Sequence, residues 1–230
     1  MQTVILAAGL GTRLRPLTEK MPKPMVLVKG KPFLEYQIEL LKKNNLDSLV
    51  LCLGYLGEQI EDYFKNGKKW GLSIKYSKEN DPLNPLGTGG TLKKAEGLLE
   101  KEFLVLYGDS FLDIDYQKLL SYFHSKKRLG AAVVYSNNPK MVQNNIEVNQ
   151  DNEVVGYNKK EEKNANYVEA GVLAFNKKVL GQIPQNGYFS IEEDLFPLLI
   201  KEKELAAFVT DKKFYDIGTF ERLKIFSQTI

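Results

Sequence analysis

A glycine-rich loop near the N-terminus combines two features that phosphate binding requires. The segment Ala8-Gly9-Leu10-Gly11-Thr12-Arg13 directly follows a short apolar run and ends in an arginine. Glycines at the end of a buried parallel strand let backbone N–H groups approach a phosphate, and a guanidinium matches phosphate oxygens with a planar fork. Arg13 and Arg15 are two of the four arginines among the 32 basic residues. A lone Gly-x-Gly is more often a plain turn, but backbone donors and guanidinium charge in one loop favour a phosphate site.

Two well-known phosphate loops do not fit this segment. The dinucleotide-binding fingerprint needs a glycine at the position of Leu14, and an arginine is unusual in its phosphate turn. The P-loop pattern G-x-x-x-x-G-K-[ST] occurs nowhere in the chain. The loop is therefore a candidate phosphate site of another kind.

A lysine lies between two prolines ten residues after Arg13, in the segment Pro22-Lys23-Pro24. Both prolines restrict the backbone around it. Taken alone, the segment is typical of a stiff surface turn with a solvated lysine. Its position between the glycine loop and the first helix predicts that Lys23 points back into the same phosphate site.

A second glycine-rich segment, Leu86-Gly87-Thr88-Gly89-Gly90-Thr91, precedes a predicted helix. One interpretation is a helix-capping turn. The other is a stretch of bare backbone whose N–H and C=O groups read the edge of a nucleobase. The residues themselves leave both open.

Two aspartates follow predicted strands and could hold a metal ion. Asp109 comes directly after an apolar run and Gly108, and Asp216 lies in the segment Tyr215-Asp216-Ile217-Gly218-Thr219. Ligands of open α/β sheets bind at the carboxyl ends of strands, where two carboxylates would hold Mg²⁺ against phosphate oxygens. Thr219 also fits a helix N-cap, so Asp216 alone is ambiguous.

These candidate residues are positioned by an alternation of short apolar strands and helical patterns. Up to about residue 137 the alternation predicts right-handed βαβ units and a parallel sheet. Later segments predict further strands, a helix from Ser190 to Lys201 with Ser190 and Glu193 at capping-box spacing, and a closing helix. The predicted strands are Val4 to Ala8, Leu49 to Leu53, Leu72 to Tyr76, Phe103 to Tyr107, Ala131 to Tyr135, Ile146 to Val148, Val154 to Tyr157, Val168 to Phe175, Leu205 to Val209 and Phe214 to Ile217. The predicted helices are Pro32 to Asn44, Glu58 to Phe64, Thr88 to Leu99, Tyr116 to Lys127, Ser190 to Lys201 and Phe220 to Ser227.

Composition excludes several classes of protein. The net charge is 32 − 29 = +3, which provides little attraction to nucleic acid or a membrane surface, and 43% of the 230 residues are hydrophobic. The chain has no apolar stretch of membrane-spanning length and no signal-peptide pattern at its start. The single cysteine, Cys52, lies in an apolar run, as expected for a buried residue in a reducing compartment. We therefore expect a cytoplasmic protein without nucleic-acid or membrane partners.

In combination and in this order, the motifs resemble those of the sugar-1-phosphate nucleotidyltransferases, from about Gln2 to Leu223. The resemblance implies an α/β fold: a Rossmann-like three-layer arrangement with a mixed, mostly parallel central sheet. It also implies a single domain over residues 1–230, with a nucleotide-binding half at about 1–115 and a sugar-phosphate-binding half at about 116–230. The reaction would join a nucleoside triphosphate (NTP) to a sugar 1-phosphate and release pyrophosphate. The length leaves no room for the appended β-helix or acyltransferase domain of longer relatives.

The resemblance also implies roles for individual residues. Arg13 would stabilise the leaving pyrophosphate, and Lys23 would bridge the phosphates of the two substrates, which makes these two the catalytic candidates. Asp109 and Asp216 would bind Mg²⁺, the expected cofactor. The residues expected to bind the nucleotide are Ala8, Gly9, Gly11, Thr12, Arg13, Glu79, Gly87 and Thr88.

The sugar side departs from the family pattern. Family members often have Tyr-Gly in place of Asn144-Asn145, Glu-Lys in place of Lys159-Lys160, and Asn-Ala-Gly or Asn-Gly-Gly in place of Glu169-Ala170-Gly171. The departures leave the acceptor open, including an unusual sugar phosphate or another phospho-alcohol. The residues expected to bind the sugar phosphate are Asn145, Lys160, Glu169 and Gly171.

Within the family, the chain resembles the short bacterial D-glycero-D-manno-heptose 1-phosphate guanylyltransferases. The segments that carry this likeness are Pro82 to Thr91, Gly108 to Ser110, Phe189 to Pro197 and Tyr215 to Gly218. This branch implies GTP, a heptose or mannose 1-phosphate, and a place in cell-surface polysaccharide biosynthesis. Alternatives are an N-acetylmuramate or hexose 1-phosphate uridylyltransferase, a phosphocholine-type cytidylyltransferase, and a non-catalytic nucleotide-sugar sensor. Whether the chain forms a homo-oligomer is left open.

Overall fold

The computed structural model describes residues 1–137, 142–158 and 164–230. Its strands are β1 (Gln2–Ala7), β2 (Leu27–Val28), β3 (Lys31–Pro32), β4 (Ser48–Leu53), β5 (Ser73–Lys78), β6 (Glu102–Tyr107), β7 (Ser110–Phe111), β8 (Gly130–Tyr135), β9 (Ile146–Val148), β10 (Val154–Tyr157), β11 (Val168–Asn176), β12 (Leu205–Thr210) and β13 (Tyr215–Asp216). Its α-helices are α1 (Phe33–Lys43), α2 (Gly57–Phe64), α3 (Gly87–Lys94), α4 (Tyr116–Lys126), α5 (Phe196–Lys201) and α6 (Phe220–Thr229).

A seven-stranded sheet in the order β12-β8-β11-β6-β1-β4-β5 forms the centre of the fold. The pairs β1–β4, β1–β6, β4–β5 and β8–β12 are parallel, whereas β11 is antiparallel to both of its neighbours. Strands β1, β4 and β6 are short apolar runs buried on both faces, as expected for parallel strands under helices. The predicted mixed, mostly parallel sheet is confirmed.

Helices cover both faces of this sheet, which makes the fold three-layered. One core contains side chains of α1, α2 and α4, such as Leu34, Phe64 and Tyr116. The other contains side chains of α3 and α5, such as Leu92 and Phe196. Each of these five helices buries an apolar stripe against the central sheet.

A third, smaller core fixes the N-terminal loop next to the C-terminal helix. Leu14, Phe33, Ile217 and Phe226 are all buried in it. The rings of Phe33 and Phe226 meet edge to face with centroids 4.9 Å apart. This core anchors the glycine loop and the segment after β13 to the same body, although they are about 200 residues apart in sequence.

Two local predictions need correction. Glycines 87, 89 and 90 do not precede the helix but form the first turn of α3, and the predicted helix to Leu99 ends at Lys94 with a separate 3₁₀ turn after it. Ser190 does cap a helix by accepting from Glu193 N, but Ile191–Leu195 is a π-helical turn. Because that turn is wider, the carboxylate that accepts from Ser190 N belongs to Asp194 and not to Glu193.

The ribbons β2–β3 and β7–β13, each of two-residue strands, were not predicted as pairs. In the described part of the chain, every helix falls short of the length and apolar character needed to cross a bilayer.

Candidate functional site

A cleft of about 470 Å³ lies where β1 and β6, two adjacent parallel strands, end. The carboxyl ends of parallel strands are the usual place for a ligand in an open α/β sheet. The predicted residues that line it are Ala8, Gly9, Gly11, Thr12, Arg13, Lys23, Glu79, Gly87, Thr88 and Asp109. Residues from positions 8 to 109 therefore meet in one place, as the predicted phosphate and nucleotide site requires.

The glycine loop has a conformation and a packing that both require glycine at position 11. Gly11 has a φ of +64°, in the left-handed region, and a Cβ there would lie 3.1 Å from Lys23 Cβ and 3.2 Å from Thr18 Cγ2. The buried Thr18 donates from its hydroxyl to Gly11 O at 2.8 Å. Thr12 and Arg13 begin a 3₁₀ turn, so their N–H groups have no partner within that turn.

The two arginines of the loop have different surroundings. Arg13 lines the cleft, with a guanidinium nitrogen 3.5 Å from the position that a Cβ on Gly218 would take. It has no ion pair with a carboxylate of the described residues, so its charge is available to a ligand. Arg15 is exposed and does not line the cleft. Only Arg13 of this pair is placed to contact a bound phosphate.

Lys23 points into the cleft, as predicted, and forms an ion pair with Asp109. The side chain of Lys23 is only 12% exposed, and Pro24 beside it is buried. Met25 N donates to Pro22 O at 2.8 Å, which closes a tight turn around the lysine. The Pro-Lys-Pro segment is therefore a rigid support for the ammonium group and not a solvated surface turn.

Asp109 directly precedes β7, and Asp216 lies in β13, the partner of β7, but the two carboxylates have different environments. Ile217 N donates to Asp109 O at 3.0 Å, and Asp216 is paired with Ser110 across β7 and β13. Asp109 lines the cleft, whereas the carboxylate of Asp216 accepts from Gly218 N and from Arg222, both at 2.8 Å. Asp216 thus lies beside the cleft with its oxygens bound to the protein.

The second glycine-rich segment is a packing surface. Gly89 N and Gly90 N both donate to Phe189 O, at 2.8 and 3.1 Å, and a Cβ on Gly89 would lie 2.7 Å from Phe189 Cδ1. A Cβ on Gly87 would lie 2.6 Å from Phe189 O. The idea that these N–H groups read a nucleobase is therefore wrong for Gly89 and Gly90, because a protein carbonyl already occupies them. Gly87 and Thr88 remain in the cleft wall.

Glu79 is a nearly buried carboxylate in the cleft wall, 7% exposed. Its Oε1 accepts from the Thr91 hydroxyl and, at 3.4 Å, from Leu86 N. Its Oε2 is buried without a hydrogen-bond donor among the described residues. Burial raises the pKa of Glu79, and the hydrogen bonds from Thr91 and Leu86 oppose that change. Glu79 Oε2 is therefore a buried acceptor in the cleft wall whose hydrogen-bonding capacity the described residues leave unsatisfied.

The cleft lining also includes residues that were not predicted to bind a substrate, among them Tyr107, Tyr188 and Glu192. Tyr107 is the last residue of β6, a position whose closeness to the sheet's ligand edge is a usable signal. The hydroxyl of Tyr107 is buried and has no hydrogen-bond partner among the described residues. Glu192 comes into the cleft because Phe189 docks on the glycines of α3, which only the tertiary structure reveals.

The predicted sugar-phosphate residues lie behind this wall. Glu169 Oε1 accepts from Gly171 N at 2.7 Å, and Glu169 N donates to Asn145 Oδ1 at 2.9 Å. A Cβ on Gly171 would lie 2.8 Å from Ser110 Cβ. None of Asn145, Glu169 and Gly171 is among the residues that line the cleft, and Lys160 lies outside the described residues.

Burial of Glu169, followed by the negative charges of Glu192 and Asp109, raises its pKa to about 8 against the opposing hydrogen bond from Gly171. A carboxyl in such surroundings holds its proton at neutral pH. At neutral pH Glu169 therefore adds no negative charge behind the cleft.

The chain matches the family model described as "Nucleotidyl transferase" over residues 2–230. It is 34% identical to D-glycero-alpha-D-manno-heptose 1-phosphate guanylyltransferase of Campylobacter jejuni, covering 96% of both chains. It is 31% identical to UTP--glucose-1-phosphate uridylyltransferase of Synechocystis sp., covering 95% of this chain but 60% of that protein's length. The crystal structure of HddC from Yersinia pseudotuberculosis complexed with GMP-PN matches with a TM-score of 0.82 at 29% identity, over 99% of this chain and 98% of the other.

Proposed function

The chain belongs to the nucleotidyl transferase family, as its motifs predicted, and we propose that it transfers GMP from GTP to a sugar 1-phosphate of the heptose or mannose type, releasing pyrophosphate. The observation that carries the proposal is the meeting of Arg13, Lys23 and Asp109 in one cleft beside a glycine loop. Two cations and backbone N–H groups suit a triphosphate, and the relatives of matching length are guanylyltransferases.

The choice of guanine is supported by Glu79. Guanine presents two adjacent N–H donors, N1–H and the N2 amino group, on one edge. A carboxylate with a free oxygen accepts both, whereas uracil presents one N–H between two carbonyl acceptors. Because Glu79 Oε1 already accepts from Thr91 and Leu86, the unpaired Oε2 is the group left for the base.

The chemistry requires charge stabilisation more than a covalent intermediate. A phosphate oxygen of the sugar 1-phosphate attacks the α-phosphorus in line, and the bond to pyrophosphate breaks. Arg13 would bind the β- and γ-phosphates, whose charge grows as pyrophosphate leaves. Lys23, held by its prolines, would bind the phosphates of both substrates and bring attacking oxygen and phosphorus together.

No covalent nucleophile is needed, and the described residues near the cleft fit that. Cys52 is fully buried inside β4, and burial raises its pKa to about 12. His124, on α4, has its Nε2 3.0 Å from a carboxylate oxygen of Glu102. Neither residue lines the cleft.

Mg²⁺ is the expected cofactor, and the residues present fit it. Asp109, directly before β7, and Asp216, in β13, would supply carboxylate oxygens, and without the ion each carboxylate forms an ion pair, with Lys23 or Arg222. Among the described residues no cluster of three or more acidic, His or Cys side chains could hold a metal. Two carboxylates completed by phosphate oxygens and water are typical of Mg²⁺ sites in nucleotide enzymes. When bound, the ion would neutralise phosphate charge.

The test is pyrophosphate release with Mg²⁺, each of five triphosphates (ATP, CTP, GTP, dTTP, UTP), and a panel of acceptors: mannose, heptose and glucose 1-phosphates, N-acetylmuramate 1-phosphate and phosphocholine. We expect turnover with GTP and a manno-configured sugar 1-phosphate. The Lys23→Ala variant should be nearly inactive, and Lys20→Ala, an exposed lysine in the preceding turn, should retain full activity.

Each alternative gives a different result in the same assay. Preference for UTP with a hexose or N-acetylmuramate 1-phosphate would make the chain a uridylyltransferase. Turnover of CTP with phosphocholine alone would make it a cytidylyltransferase, and nucleotide binding without turnover would make it a sensor. We further propose a cytoplasmic location, where its nucleotide and sugar-phosphate substrates occur.

A further inference from the structure

Glu192 supplies negative charge to the cleft that no described cation balances. Its Oε2 accepts from the hydroxyls of Thr88 and Ser190, at 2.8 and 2.9 Å. No hydrogen bond of normal geometry from the described residues reaches its Oε1, although the Tyr107 hydroxyl interacts with this carboxylate. The residue lines the cleft. The side chain is thus held in place by two donors on one oxygen while the other oxygen stays available.

The support of this side chain is rigid. Ile191 N donates to Thr88 Oγ1 at 2.8 Å, and that hydroxyl in turn donates to Glu192. The carbonyl of Phe189 is held by two N–H groups of α3. A carboxylate fixed in this way can discriminate between ligands, because it cannot turn away from an unfavourable one.

Among the described residues no cation forms an ion pair with Glu192. The Tyr107 hydroxyl, buried in the same cleft wall, lies beside the Glu192 carboxylate and has no hydrogen bond of normal geometry. The carboxylate charge therefore remains uncompensated by any described side chain.

Resting on the proposed function, we propose that Glu192 is a specificity-determining residue: it accepts hydrogen bonds from hydroxyl or amino groups of the acceptor sugar and excludes sugar 1-phosphates that carry a carboxylate. Arg13 and Lys23, the cations that line the cleft in the described part of the chain, are engaged by the phosphates. A uronic-acid or lactyl carboxylate would therefore meet Glu192 without a counter-ion. A neutral sugar offers donors to its free oxygen, and an amino sugar adds an attractive charge.

The experiment compares mannose 1-phosphate with two derivatives that each differ from it in one substituent: mannosamine 1-phosphate and mannuronic acid 1-phosphate. Their binding is measured by calorimetry in the presence of Mg²⁺ and a non-hydrolysable GTP analogue, and their turnover with GTP is measured separately. The wild type should bind the acidic sugar at least about tenfold more weakly than the neutral one, the scale of one unpaired like charge at moderate distance. The amino sugar should bind at least as well as the neutral one.

The variant Glu192→Gln tests the residue itself. The amide keeps an oxygen for Thr88 and Ser190 but removes the charge, so we expect the discrimination against the acidic sugar to fall at least about fivefold, with the affinity for the GTP analogue unchanged. Glu58→Gln, which removes an exposed carboxylate from α2, is the matched control and should behave as the wild type.

Two results would overturn the inference: equal binding of acidic and neutral sugars by the wild type, or unchanged discrimination in Glu192→Gln. The first needs no variant, so misfolding of Glu192→Gln cannot hide it. Failure of the proposed function gives a different result. If turnover required UTP, the same three acceptors would be compared with a UTP analogue, and their ranking would judge Glu192 independently of the base.

Discussion

Replacing Glu79 by glutamine should change which base the protein accepts, and the structure predicts by how much. In the wild type one oxygen of the carboxylate accepts from Thr91 and Leu86, and Oε2 is the oxygen proposed to accept from guanine. In Glu79→Gln, the amide oxygen would stay with Thr91 and Leu86, so the NH₂ group would face the base. The two N–H donors of guanine would then face the N–H donors of the amide, with no acceptor between them.

The magnitude follows from one charged hydrogen bond. Inosine triphosphate differs from GTP by the missing N2 amino group, so the two nucleotides isolate a single contact to the carboxylate. A hydrogen bond to a charged group contributes about 1.5–3 kcal/mol, which is about a 10- to 150-fold ratio in kcat/KM. We expect the wild type to prefer GTP over inosine triphosphate by such a ratio, and Glu79→Gln to reduce it to within about threefold.

The assay measures pyrophosphate release at a fixed concentration of sugar 1-phosphate, with GTP, inosine triphosphate or UTP. It compares the wild type, Glu79→Gln and the control Asp81→Asn. Asp81 is exposed and lies two positions along the same loop, so the control should keep the wild-type ratios. Because the ratios compare nucleotides within one protein, a general loss of stability cancels. A uniform fall of kcat/KM for all three nucleotides in Glu79→Gln would refute the reasoning, since it would mean that Glu79 only supports its loop.

Three further predictions concern the proposed phosphate site, the packing of α3 and the protonation of Glu169, the buried carboxyl group behind the cleft. Lys23→Ala should lower kcat about 10²–10³-fold, the scale for one preorganised transition-state donor; a loss confined to KM would contradict its proposed role. Gly89→Ala places a Cβ 2.7 Å from Phe189 Cδ1 and should destabilise the protein by about 1–3 kcal/mol in urea unfolding. The matched control Gly97→Ala, with nothing within 4 Å of its Cβ, should be near neutral, and equal stabilities of the two variants would contradict the packing argument. Glu169 has a pKa raised from 4.5 to about 8, so between these pH values the unfolded chain has lost a proton that the folded chain keeps, and stability falls as pH rises. Over about 3.5 pH units the free energy of unfolding falls by at most about 5 kcal/mol. Urea titrations at pH 5 and 8 should show this fall in the wild type and in the control Glu58→Gln, but not in Glu169→Gln. The same pH dependence in Glu169→Gln and Glu58→Gln would show that another group binds the proton.

The sequence predicted the strands of the central sheet well because their burial is local information. β1, β4 and β6 are continuous apolar runs that end in glycine or at a turn, and their observed bounds differ from the predicted ones by at most a few residues. The order of the strands was harder. β11 lies between β6 and β8, antiparallel to both, and no local pattern states which neighbours a strand will have. Strands of two residues, such as β2, are too short to produce any periodicity.

The residues of the candidate site also differ in whether local sequence or long-range packing brings them to the cleft. The residues proposed to bind phosphate could be selected from composition and spacing: a glycine at positive φ, an arginine two residues later, a lysine between prolines. Glu192 was not predicted, since it reaches the cleft through long-range packing, whereas Tyr107 was missed although its place at the end of β6 is a local signal. The two interpretations of the segment around Gly89 stayed open for the same reason, because its N–H group donates to Phe189, a residue 100 positions away. Glycine in a ligand-binding segment can serve the packing of the segment and not the ligand.

The ion pair between Lys23 and Asp109 explains how one cleft can hold opposite charges without ligands. In the free protein the ammonium group, largely shielded from water, is neutralised by the carboxylate next to it. Both groups are proposed to change partners on binding, Lys23 to phosphate and Asp109 to the cation that accompanies the nucleotide. The pair therefore keeps each group in position at little cost while the cleft is empty. Removing either member leaves the other without its partner in the free protein, so the effect of a single substitution at Lys23 or Asp109 includes the loss of that arrangement as well as the loss of a substrate contact. Arg13, which has no such partner among the described residues, lacks this complication, and its substitution reports more directly on the binding of phosphate.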